Sequence, residues 1–329
     1  MKAVQLSTFG DPDVLQLVDI PVPAVAAGEI RIRVAASGVN FAETAMRRNR
    51  YAMTPPLPSV LGSEVAGTVE AIGPGVEGFT VGDRVAAALF AAGRHFGGYA
   101  EFVVCEAAFV TRIPATISFE QAVALMVQGL TAALLVERAP VSGKIVLISA
   151  AAGGVGSLLV QLARSAGAQS VIAAASTAEK RDFARTLGAD ATIDYTAPDW
   201  PQALAGLTGG HGADVIFESV GGAVTRQALT ALAPLGQIVL YGSLNILDFE
   251  LGVPDLLGLI FRNQSLTGFA AVPLLSAETL RQSLDNLFAA VASGRLKVTI
   301  GGTYPLAQAA EAHRALEARE TRGKIVLVP

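Results

Sequence analysis

The sequence predicts an α/β chain of two domains, a doubly wound parallel sheet joined to a β-rich domain. Three observations predict it. The stretch "KIVLISAAAGGVGSLLVQLARSAGAQSVIAAAS" (144–176) reads as strand, glycine turn, helix and parallel strand, which is one βαβ unit. From residue 118 onward, short apolar strand-like runs alternate with helical segments, as in a parallel sheet covered by helices. Before residue 118, short β patterns follow one another between Gly and Pro turns.

Size and composition agree. At 329 residues the chain exceeds what one core usually fills, and 52% hydrophobic against 16% charged residues is ample for two. The formal charge is −4, with no basic stripe and no long block of like charge, so nucleic acid is not an expected partner. "MKAVQLSTFG" lacks the apolar run of a secretory signal, and the longest apolar stretch, 122–136, is interrupted by Gln128, Gly129 and Thr131. A cytoplasmic chain with no membrane attachment is expected. The single cysteine, Cys105, excludes an internal disulfide. It lies in apolar "AEFVVCEAAFV" and is expected to be a buried packing thiol.

Taken in order, "EIRIRVAASG", "VAGTVEAIG", "GDRVAAAL" and "YAEFVV" predict the strands of a barrel-like domain over residues 1–117. Ser118 and Gln121 form a capping box ahead of a long helix containing "AVALMVQGLTAALLVERA". "KIVLIS", "SVIAAA", "ATIDY", "ADVIFESV", "GQIVLYG" and "SLTGFAA" predict the strands of a second domain over 118–271. The remainder, about 272–329, carries two amphipathic helices and two strand-like runs, and is expected to return and complete the first domain.

The glycine turn carries the chemistry. A glycine turn that opens a helix lets backbone N–H groups approach a pyrophosphate while the helix N-terminus supplies positive potential. Against G-x-G-x-x-G, Ala151 stands at the first glycine, followed by Gly153 and Gly156. Glycines also serve ordinary turns, so it is the flanking strands and helix that make this a dinucleotide site. The second strand ends Ala173-Ala174-Ala175-Ser176-Thr177 with no carboxylate, and Lys180 and Arg181 follow. An NAD site places an acid on the ribose hydroxyls here, so NADP(H) is the expected cofactor. The two cations also fit a solvated first turn of the next helix; the missing acid is the stronger sign.

Several motifs resemble one family: "GVNFAET" (38–44), "LGSEVAGTVEAIGPGV" (61–76), "VGDRV" (81–85), "GGYAEF" (97–102), "GLTA" (129–132), "AAGGVG" (151–156) and "GKIVLV" (323–328). In order and spacing they resemble the zinc-free quinone oxidoreductase (zeta-crystallin-like) branch of the medium-chain dehydrogenase/reductases, over nearly the whole length. The resemblance implies a GroES-like catalytic domain built from both chain ends, a Rossmann domain between them, and a cleft where nicotinamide meets substrate. Zinc-bearing members hold catalytic metal on Cys and His. Here Val39-Asn40 and Gly62-Ser63-Glu64 stand at those places, and the cysteines of a structural zinc lobe are missing. His95, His211 and His313 are scattered without ligand spacing and are expected to be surface or packing residues.

For catalysis the resemblance implies Asn40 and Tyr51 beside the nicotinamide. Asn40 as a plain turn residue, and Tyr51 packed on Pro55 and Pro56, remain the alternatives. For the cofactor it implies Thr131 near the nicotinamide, Gly153, Gly154 and Val155 at the pyrophosphate, and Ser176, Lys180 and Tyr195 near the adenosine phosphate. Gly242 and Ser243 fall at the carboxyl end of the sheet, and Phe269 lies near the ring or at an interface. Arg322 and Lys324 read either as cations near a phosphate or, as is usual for two cations before a terminal strand, as solvated, which is the expectation here.

Without a metal to polarise a carbonyl, the expected reaction is hydride transfer from NADPH to a small-molecule electrophilic acceptor. A quinone is the first reading, and an α,β-unsaturated carbonyl or enoyl thioester the alternative. A non-catalytic NADPH-binding protein is the third. Arg47, Arg48 and Arg50 read either as a solvated face or as cations drawing an acidic acceptor. Apolar "VPDLLGLIF" and "LTGFAAVPLL" flank the last strands of the second domain, where the resembled family pairs its subunits edge to edge, so the resemblance implies a C2 homodimer.

Overall fold

Ile30, Ile32 and Val34 alternate with Arg31 and Arg33, and the strand they build buries the aliphatic set in the core of the first of two units. The computed structural model describes residues 1–242, 248 and 250–329. One unit is Met1–Leu130 with Val272–Pro329, the other Thr131–Ala271.

The first unit begins with β1 (Lys2–Leu6), β2 (Leu15–Asp19), β3 (Glu29–Val39), α1 (Phe41–Arg47), β4 (Ser59–Val60), β5 (Glu64–Ile72), β6 (Arg84–Ala88), β7 (Phe102–Glu106), β8 (Val110–Arg112) and α2 (Phe119–Ala124). The second holds α3 (Leu130–Arg138), which starts at the boundary, then β9 (Ile145–Ile148), α4 (Gly154–Ser165), β10 (Ser170–Ala174), α5 (Ala178–Thr186), β11 (Ala191–Ile193), α6 (Trp200–Leu207), β12 (Ala213–Glu218), α7 (Gly222–Ala231), β13 (Leu232–Leu240), α8 (Val253–Phe261) and β14 (Ser265–Gly268). The chain returns to the first unit through α9 (Ala277–Ala292), β15 (Ile300–Pro305), α10 (Ala309–Glu317) and β16 (Lys324–Val328).

Strand β16 pairs antiparallel with β3, Ile325 opposite Val39 and Leu327 opposite Ser37. The chain end thus closes the first unit's sheet, whose order is β15-β16-β3-β5-β6-β8 with β7 also on β3. The second unit's sheet is parallel throughout, ordered β11-β10-β9-β12-β13-β14. Its order reverses between β9 and β12, the switch point at whose carboxyl end open α/β sheets bind ligands. Ser219 N–H donates to Ser149 Oγ at 2.9 Å and ties the two strand ends together there.

The boundary differs from the expected one at 118. Ser118 does cap α2, its Oγ accepting from Gln121 N–H at 3.2 Å, but α2 packs on β3, β5 and β6 and shares the first unit's core. A capping box marks where a helix starts, not where a core ends. A π turn at Leu125–Gly129 joins α2 to α3. Phe119–Arg138 is long and apolar enough to cross a membrane by composition, yet 56% of its most apolar window is buried inside the protein.

Candidate active site

In the second unit, Gly153 is the N-cap of α4. The first N–H groups of a helix have no partner within it, and Gly153, Gly154 and Val155 at this end remain partly accessible. A Cβ on Gly156 would strike Ala150 O and lie 2.7 Å from Ala151 Cα, so only glycine lets α4 pack this close to the end of β9. Ala150 makes the turn at φ 47°, in the left-handed region. This cradle fits a pyrophosphate.

Ser176 is half-buried just beyond β10, and Thr177 Oγ1 caps α5 by accepting from Lys180 N–H at 3.3 Å. Arg181 is drawn into an ion pair with Asp194 at 2.8 Å and donates to Ala175 O. Asp194, just after the neighbouring strand β11, is thus matched by a cation. Tyr195 is buried in the unit's main hydrophobic cluster. Gly242 lies against Ser219, whose Cβ would be 2.7 Å from an added methyl. Ser243 lies outside the described residues. Phe269, just after β14, is half-buried, its N–H donating to Leu240 O. Thr131, half-buried, stands just after the π turn.

In the first unit the structure brings together residues that sequence windows keep apart. Lys324 is 1% exposed, and its ammonium donates to Glu64 Oε1 and, at 2.7 Å, to Asn40 Oδ1. Asn40 Nδ2 donates to Glu64 Oε1 at 2.8 Å. These partners fix the amide's orientation, since exchanging O and N would set a donor against the ammonium. Glu64 Oε2 accepts Val127 N–H at 2.6 Å and so pins the π turn. Glu43, fully buried in α1, accepts Ser63 Oγ–H at 2.5 Å and Ser63 N–H at 3.2 Å on Oε1, and Asn40 N–H at 2.6 Å on Oε2. Gly38 leaves the space: a Cβ there would meet Glu64 Oε1 and lie 2.6 Å from Lys324 Cε.

Lys324 is therefore a correction to the solvated cation expected. The signal was thin: "GKIVLV" offers a lysine before an apolar run, and only the strand pairing buries it. Arg47 is another. It is wholly buried and pairs with Glu317 at 2.5 Å, while Arg48 pairs with Glu317 and Asp11, so both tie α1 to its neighbours. Tyr51, 40% exposed, has a phenol pushed upward first by burial and then by the charge of Glu43. His313 packs in the core with Nε2 3.1 Å from Tyr99 OH, and Cys105 is a buried thiol pushed up to about 12 by desolvation.

The residues around Asn40 do not fit a zinc centre. Of the two carboxylates there, Glu64 is already paired with an ammonium and Glu43 is filled by donors from Ser63 and Asn40; Ser63 and Asn40 are poor zinc donors, and no three His, Cys, Asp or Glu side chains converge among the described residues.

A switch-point glycine cradle and a β-rich unit closed by the chain end define a nucleotide-dependent dehydrogenase or reductase. Residues 26–115 match the alcohol dehydrogenase GroES-like domain and 154–289 the zinc-binding dehydrogenase family. A quinone oxidoreductase of Pseudomonas aeruginosa is 37% identical over 333 residues, covering 100% of this chain and 99% of its own. A 2-haloacrylate reductase of a Burkholderia species is 35% identical over 343 residues, covering 100% and 99%. The structure of Escherichia coli quinone oxidoreductase complexed with NADPH superposes with a TM-score of 0.92 at 34% identity, covering 100% of each chain. The chain belongs to the quinone oxidoreductase branch of the medium-chain dehydrogenase/reductases.

Proposed function

We propose that this chain is an NADPH-dependent oxidoreductase that reduces quinones without a metal. The observation that carries the reading is the Gly153–Gly156 cradle followed by a strand tip, Ala175-Ser176, that offers no acid to a ribose 2′-hydroxyl. Bound NADPH supplies the hydride. Gly153, Gly154 and Val155 hold the pyrophosphate with backbone N–H groups; Ser176, Lys180 and Tyr195 favour the 2′-phosphate. Gly242, Ser243, Thr131 and Phe269 complete the cofactor contacts, and Asn40 and Tyr51 border the nicotinamide. Asn40 does so from an amide held rigid by Lys324 and Glu64. An acceptor that is already strongly electrophilic needs no Lewis acid, which suits a site whose Glu64 is already paired with an ammonium.

The 35% identity to a 2-haloacrylate reductase favours a second reading, reduction of an activated double bond. We place the enzyme in the cytoplasm as a C2 homodimer. Following NADPH consumption with a quinone panel beside enones and acyl thioesters tests the function. Turnover of quinones that survives EDTA is the expected result. Turnover of double-bond substrates alone moves the assignment to the second reading, and stoichiometric bound zinc overturns the metal-free mechanism.

A further inference from the structure

Two buried carboxylates share one cation in the first unit. Glu64 has its charge matched by Lys324 and its oxygens filled by Asn40 Nδ2 and Val127 N–H. Glu43 makes no ion pair among the described residues; its donors are Ser63 Oγ–H, Ser63 N–H, Asn40 N–H and, at 3.5 Å, Asn40 Nδ2. A buried carboxylate without its own cation is favoured in the neutral, protonated form. Burial raises Glu43 above the usual carboxylate range and Glu64 adds to this, while Ser63, Lys324 and Asn40 oppose it. Tyr99 and Tyr51 are both pushed upward, first by burial and then by nearby carboxylate charge, so their phenols stay protonated beside Glu43.

The network also has few exits. Glu43 and Glu64 are 0% exposed and Lys324 is 1%, whereas Ser63 is 6% and Asn40 7% exposed. An amide cannot pass a proton on without losing its own, but a hydroxyl donates and accepts at once. Ser63 is thus the atom through which a proton can leave Glu43.

We propose that Ser63 delivers the proton that completes quinone reduction, and that Glu43 stores and resupplies it. This rests on the quinone reading above. A quinone that has taken hydride is a hydroquinone monoanion. With Glu43 protonated, the 2.5 Å hydrogen bond runs from Oε1–H to Ser63 Oγ and the Ser63 hydrogen is turned to the hydroquinone oxygen; as that oxygen takes it, the Oγ–H bond breaks and the proton on Oε1 moves across to Oγ. Glu43 is left as carboxylate and regains a proton from water through Ser63 after the product departs. Charge and atoms balance as quinone, NADPH and one proton giving hydroquinone and NADP⁺. Ser63 is the catalytic residue, and Glu43, acting through it, is a positioning residue.

The test compares wild type with Ser63→Ala, Ser63→Thr and Glu43→Gln, using one quinone whose hydroquinone anion is strongly basic and one whose anion is weakly basic. Ser63→Ala is expected to lower kcat about 10²-fold for the basic case and less for the other, with NADPH affinity unchanged; Ser63→Thr restores it. Wild-type kcat falls as rising pH removes the Glu43 proton, and Glu43→Gln abolishes that fall. Infrared spectra of the resting protein are expected to show a protonated-carboxyl stretch that Glu43→Gln lacks, a readout independent of substrate and of any loss of folding in one variant. Ser63→Ala within twofold of wild type for both quinones, or no such carboxyl stretch, overturns the proposal. A wild-type protein that holds the carboxyl stretch yet oxidises NADPH with no quinone instead overturns the quinone reading.

Discussion

Lys324 shows what one side chain can hold at the residue scale. Its ammonium is the only charge in contact with Glu64 among the described residues, and both are almost wholly buried. Removing one member of such a pair strands the other, at a cost of about 3–5 kcal/mol. Lys324→Met is expected to lose about that much in urea unfolding, while Lys324→Met with Glu64→Gln loses less, since no charge is left unmatched. His313 makes a second, opposite kind of prediction. Burial first, then the Arg47 charge, lower its pKa to about 3 from 6.5. Between those values the unfolded chain binds a proton that the folded one refuses, so stability falls as pH drops through this window. The slope His313 adds is about 1 kcal/mol per pH unit. Comparing urea midpoints at neutral and mildly acidic pH, His313→Gln is expected to lose less stability on acidification than wild type.

Among the elements, the turn from β9 into α4 is where local sequence and chemistry coincide. Gly156→Ala would push a methyl against backbone that cannot swing away, displacing the N-terminal turn of α4. Weaker NADPH binding by about tenfold, or about 1.4 kcal/mol, is the expected result in a fluorescence titration. At the end of β10, Ser176→Asp would set a carboxylate where we propose the 2′-phosphate to bind and offer an acceptor to ribose hydroxyls. The ratio of NADPH to NADH affinity should fall; an unchanged ratio would put the phosphate elsewhere.

On the whole-molecule scale, α8 leaves an apolar face uncovered. Val253, Ile260 and Phe261 are 68%, 66% and 79% exposed, and Leu235 is 79% exposed. Exposed aliphatic and aromatic groups at this density mark an interaction surface, and the open edge strand β14 lies in the same unit. Light scattering at micromolar concentration is expected to give twice the chain mass, and Ile260→Glu with Phe261→Glu to halve it. A monomeric wild type would refute the homodimer.

The βαβ unit, the glycine turn, the missing acid at Ser176 and the α2 capping box were all legible in the sequence, because each depends on residues within a few turns or one strand of one another. Periodicity and short spacings encode such features directly. The Lys324–Glu64–Asn40 network was not. Its members lie 260 and 284 residues apart and meet only because β16 pairs with β3. Arg47 and Arg48, read as a solvated or substrate-facing cluster, were likewise settled by Glu317 on α10. The domain boundary moved for the same reason, since α2 belongs to whichever core it packs on. What the sequence determined by itself was the fold class and the glycine turn that opens α4. Which buried charges are matched, and which carboxylate is left without a cation of its own, was decided by tertiary structure, because burial and charge pairing exist only once distant strands and helices have met.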